Sequence, residues 1–73
     1  MDSSELRTQV HQLHTTYGAS LPGYVFTEEV YKLLLAFKEI QLKINWLDDE
    51  LIWALANIDR YNASRKGNLN DDI

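Results

Sequence analysis

Residues 27–58 read TEEVYKLLLAFKEIQLKINWLDDELIWALANI, and the fold is decided in this stretch. At about 100° per residue, Val30, Leu33, Leu34, Phe37, Ile40 and Ile44 share one broad helical face, while Tyr31, Leu35 and Leu42 form a second, thinner stripe. Thr27 is a good N-cap, Glu28 and Glu29 suit the positive end of the helix dipole, and Phe26 and Tyr31 hold the positions of a hydrophobic staple. The spacing predicts a helix over 28–44. Asn45, Trp46, Leu47 and Asp48 then read as a break, because Asp48 can cap a new helix whose first turn carries Asp49 and Glu50 and whose staple is Leu47 with Ile52. No Pro or Gly interrupts the run, so a single continuous helix is the competing reading; the capping pattern favours a hairpin.

The next helix, over 49–62, places Leu51, Ile52, Ala54, Leu55, Ile58 and Tyr61 on one wide face. Trp53 stands nearly opposite that face, beside Asn57 and Arg60, on what should be the wet side. Toward the N-terminus, Leu6, Val10, Leu13 and Tyr17 draw a narrow apolar stripe that predicts a helix over 3–17, capped by Ser3 or Ser4 and closed by Gly18. Between the first two helices, Leu21, Pro22, Gly23 and Tyr24 read as a turn with Pro22 presetting its φ. After Ala63 the chain is polar and loses its helical period, so residues 64–73 are expected to be a mobile tail on a single domain of residues 1–63. Three amphipathic helices with short connections can bury their stripes only against one another, and the expected fold is an all-α three-helix bundle.

Composition narrows the function. The chain has 73 residues, 45% hydrophobic and 25% charged, which suits one folded domain with one modest core. It has no Cys, which excludes disulfides, thiol nucleophiles and thiolate metal sites. No basic leader precedes an apolar stretch, and the longest apolar run, Leu51 to Ala56, is far too short to span a bilayer, so a cytoplasmic, soluble protein is expected. Eleven acidic against seven basic residues give a formal charge of −4, which works against nucleic-acid and anionic-membrane binding.

Chemistry-bearing patterns are sparse. Asp48, Asp49 and Glu50 are adjacent on a helix and diverge, so they read as a helix start rather than a catalytic pair. His11 and His14 are three apart and could share a metal ion if another element supplied a third ligand, but none is evident and they read as a solvated pair. Ser3, Ser4, Ser20 and Ser64 lack the glycine-flanked elbow of a reactive serine, and no phosphate-binding loop is present. Asn62, Ala63 and Ser64 match a glycosylation pattern that has meaning only in a secreted chain. No enzyme activity, cofactor or metal is expected.

The positive signal is surplus aromatic and apolar surface. Trp53, Trp46, Tyr31, Leu35 and Leu42 are the candidate contact residues of a small acidic interaction module, a regulator, adaptor or inhibitor that covers a protein partner or its own copy as a homodimer. For Trp46 burial as a plug at the corner between helices is the stronger reading, since Trp is highly buried on average; Tyr31, Leu35 and Leu42 can equally be core between two neighbours. Two other functions fit less well. One is a dimeric DNA-binding regulator of helix-turn-helix type, which the acidic start of the last helix opposes. The other is an immunity protein or antitoxin neutralising a basic toxin, which the acidic surface would help to steer.

Overall fold

A computed structural model describes the backbone of residues 2–71 and the side chains of residues 2–64. It contains three helices in chain order, α1 (Ser3–Tyr17), α2 (Glu28–Lys43) and α3 (Asp49–Asp71), with no strand among the described residues. Each start is capped by a side-chain oxygen. Asp2 accepts from the Glu5 amide at 2.9 Å, Thr27 from that of Val30 at 3.3 Å, and Asp48 from that of Leu51 at 3.0 Å. The expected cap of α1, Ser3 or Ser4, is thus displaced to Asp2. An acidic cap followed by Glu5 also sets two negative charges at the positive end of the helix dipole. Gly18 closes α1 with φ 75°, its amide donating to His14 O at 2.9 Å.

The hairpin is real, and its mechanism is a reversal at Asn45. This residue has φ 56°, the left-handed conformation that Asn tolerates better than most side chains. Its amide donates to Leu42 O at 3.1 Å and the next amide, of Trp46, to Gln41 O at 2.8 Å. These are the paired bonds of a Schellman motif, which satisfy carbonyls that the end of α2 would leave bare. The buried Gln41 side chain adds a bond from its amide nitrogen to Trp46 O at 3.0 Å.

All three helices and the first loop contribute to the core: Leu6 and Val10 from α1, Leu21 from the loop, Leu34 and Phe37 from α2, and Leu51, Trp53, Ala54 and Ile58 from α3. Tyr31 and Leu35 are half-buried and pack against it. Phe26 and Tyr31 meet as expected of a staple, with ring centroids 6.5 Å apart, and Tyr61 stacks on both at 4.8 and 4.5 Å.

The rotation of α3 departs from the expected one. Trp53, expected on the wet side, is 5% exposed, and Asn57 is wholly buried, whereas Ile52 and Leu55, expected to face the core, are 62% and 36% exposed. The cause is polar. The α1–α2 loop crosses this side of α3, where Trp53 Nε1 donates to Gly18 O at 2.7 Å, Asn57 Nδ2 to Ala19 O at 3.3 Å, and Asn57 Oδ1 accepts from the Leu21 amide at 3.0 Å. Those loop groups would be costly to leave unpaired beside a core, and α3 turns its two suitable partners toward them. α3 also runs on to Asp71, past Asn62 where its apolar period fades. Residues 72–73, and all side chains beyond Ser64, lie outside the described residues, and with them the expectation of a mobile tail.

Candidate interaction surface

Two polar networks tie α1 to the start of α3 and shape the surface between α2 and α3. In the first, the Arg7 guanidinium bonds the carboxylate of Asp48, reaches Gln41 Oε1 at 3.4 Å, and stands 4.0 Å from the centroid of the Trp46 ring. A cation over an indole face is attracted by the ring's negative quadrupole. Burial pushes the Asp48 carboxyl up, but the bond and charge of Arg7 and the Leu51 amide outweigh it and hold Asp48 below its ordinary value. Trp46 is therefore not a buried plug: one face is covered by Arg7, and the residue remains 48% exposed.

In the second network Glu50 takes both histidines. Its Oε1 lies 2.7 Å from His11 Nδ1 and its Oε2 3.0 Å from His14 Nδ1. A carboxylate only accepts, so both rings present an Nδ1 proton to it. Burial raises the Glu50 pKa, and the hydrogen bonds of His11 and His14 more than reverse this, holding it below its ordinary value. His14 also stacks on Trp53 with centroids 5.0 Å apart. The histidines are thus not simply a solvated pair; an α3 carboxylate that the sequence reading took for a helix-start charge joins them to the next helix. No group of three or more His, Cys, Asp and Glu side chains is arranged to hold a metal ion among the described residues.

The candidate contact residues are divided by this packing. Trp53 is in the core and offers no surface; Tyr31 and Leu35 lie half-buried, with the Tyr31 hydroxyl donating to Asn62 Oδ1 at 2.9 Å. Leu42 and Trp46 remain open, 49% and 48% exposed. Close to them in the chain, residues that sequence reasoning assigned to the core or to a staple are also exposed: Ile44 at 56%, Leu47 at 66%, Ile52 and Leu55. Six of the eight large exposed hydrophobic side chains therefore fall within residues 42–55, at the end of α2, the corner and the first turns of α3. The signal for Leu47 was present, since a corner held by Asn45 and Asp48 leaves its intervening side chains outside; that for Ile52 and Leu55 depended on the rotation of α3.

No helix among the described residues is long and apolar enough to cross a membrane. Comparison with protein-family models, with curated proteins and with solved structures finds no match for this chain.

Proposed function

We propose that this protein is a small helical protein–protein interaction module that acts by surface binding, with Leu42, Ile44, Trp46, Leu47, Ile52 and Leu55 as its contact surface. The observation that carries this reading is that six of the eight large exposed hydrophobic side chains of the described residues fall within residues 42–55, on the end of α2, the corner and the first turns of α3, since surplus exposed apolar surface on a small protein marks an interaction site. The corner is also pre-organised. Asp48 caps α3 while bonding Arg7, Arg7 holds Trp46, and Gln41 holds the Trp46 carbonyl, so little conformational freedom is left to lose on binding. A DNA-reading role gains nothing from this geometry, because the open side of the first turns of α3 offers Asp49, Ile52 and Leu55 to a groove that calls for basic and amide side chains.

The test is a comparison of captured protein, own copy included, by the wild type, by the Leu47→Asp/Ile52→Asp double variant, and by Lys32→Glu as a control on exposed α2 surface away from the corner. Wild type and control should retain the same partners and the double variant should lose them, with equal helicity by circular dichroism in all three. Retention by the double variant, or nothing retained by the wild type, refutes the reading.

A further inference from the structure

We infer that a recess between the α1–α2 loop and the C-terminal half of α3 binds a small organic carboxylate with an apolar body, and that Arg60 takes the carboxylate. The recess is lined by Leu21, Gly23 and Phe26 of the loop and by Arg60, Tyr61 and Ser64 of α3, and has a volume of about 230 Å³. It shares no residue with the corner at residues 42–55. Its apolar wall is formed before any ligand arrives. Leu21 is 4% exposed and its amide is tied to Asn57 Oδ1 at 3.0 Å. Phe26 and Tyr61 are half-buried and stack with ring centroids 4.8 Å apart, and Tyr61 stacks in turn on Tyr31, whose hydroxyl is held by Asn62. Side chains already fixed in this way lose little freedom on binding. Gly23 leaves the mouth open, since a Cβ there would meet no atom within 4 Å.

Charge selects the ligand. Arg7, the other arginine whose side chain is described, is committed to Asp48, Gln41 and Trp46. Arg60 is exposed and has no ion pair, hydrogen bond or ring contact among the described residues. Asp59, next in the chain, is turned about 100° away. Recesses that take in Lys32, Lys38 or Lys43 also take in Glu29 or Glu39, whereas the lining of this one contains no carboxylate. The net charge of −4 is screened beyond about 8 Å at physiological salt, so the local guanidinium decides. A guanidinium presents two parallel N–H donors to the two oxygens of a carboxylate. Ser64, four residues on from Arg60 and so on the same side of α3, adds a hydroxyl donor. The volume sets the size: it falls below the roughly 300–1,000 Å³ of most ligand pockets and suits one ring or one short branched chain. An anion without an apolar body would leave the wall of Leu21, Phe26 and Tyr61 wet, and an apolar body without charge would leave Arg60 unpaired.

The test is a titration of the isotope-labelled full chain, followed by amide NMR, with phenylacetate, with phenylacetamide as the same body without the charge, and with acetate as the same charge without the ring. Phenylacetate should saturate with a dissociation constant on the order of 1 mM, the scale for a ligand of about ten non-hydrogen atoms, and the shifts should centre on Leu21, Gly23, Phe26 and Ser64. Phenylacetamide and acetate should each bind at least about tenfold more weakly. Arg60→Gln should raise the constant for phenylacetate by about tenfold, and Arg60→Lys by about threefold, because the charge remains while the fork is lost. Both variants should keep the wild-type urea midpoint, since Arg60 is bonded to nothing among the described residues. A wild type without saturable shifts up to about 20 mM phenylacetate, shifts centred elsewhere, phenylacetamide or acetate binding as tightly as phenylacetate, or an Arg60→Gln variant that binds as well as wild type each overturns the proposal.

Discussion

Replacing Asn57 with Ala removes the side chain that fastens the α1–α2 loop to α3. Asn57 is wholly buried and makes three hydrogen bonds: its Oδ1 accepts from the Leu21 amide at 3.0 Å, and its Nδ2 donates to Ala19 O at 3.3 Å and Trp53 O at 2.9 Å. The three losses are unequal. Trp53 O keeps its helical bond and Ala19 is exposed enough for water to replace the donor, but the Leu21 amide is left without its partner beside a buried side chain. An orphaned buried donor costs about 1–3 kcal/mol, and the small void left by the amide adds to it. Ala returns a few tenths of a kcal/mol in helix propensity. The net loss is about 2 kcal/mol, a large share of the ~4–11 kcal/mol expected for a chain of this length. In urea, with a slope of about 1 kcal/mol per M, the midpoint should fall by about 2 M. Asn62→Ala is the internal control, since it removes only an exposed acceptor of the Tyr31 hydroxyl and should shift the midpoint by about 0.5 M or less. Amide exchange supplies the local readout, with Leu21 losing protection ahead of the rest of the core. An Asn57→Ala midpoint no lower than that of Asn62→Ala would refute the claim that loop carbonyls and amides set the rotation of α3.

Two further outcomes follow from the networks that tie α1 to α3. Asp48 and Glu50 are both held below their ordinary values, so each stabilises the fold above the ordinary carboxylate range, and that contribution is lost as pH falls through the folded pKa; urea midpoints should decline below about pH 4, with a shallower decline in Asp48→Asn and Glu50→Gln, and equal slopes in all three proteins would contradict the assignment. Arg7→Ala should uncover the Trp46 ring, so that in a Trp53→Phe background acrylamide quenching rises while stability drops by about 1 kcal/mol; unchanged quenching would mean that Arg7 does not cover the ring in solution.

Much of the architecture is local and was legible in the sequence. Thr27 and Asp48 cap where their side-chain chemistry says they should, Gly18 closes α1, and the apolar periods mark three helices, because each of these features depends on residues within a turn or two of one another. The break after α2 was legible from Asp48, although the left-handed residue that makes it, Asn45, carried only a weak signal of its own. What each helix presents to its neighbours is another matter. A count of apolar residues around α3 chose Ile52 and Leu55 for the core and left Trp53 and Asn57 outside, and the structure reverses both choices.

The physical reason is that period records only which residues share a face, whereas the rotation of that face is set by groups far away in the chain. Gly18, Ala19 and Leu21 bring backbone donors and acceptors to α3, Arg7 finds Asp48, and the two histidines find Glu50. The sequence by itself determined that three amphipathic helices would form and where they would start. Only the tertiary structure decided which apolar residues those helices would leave uncovered, because that depended on satisfying the polar backbone of a loop as much as on burying carbon.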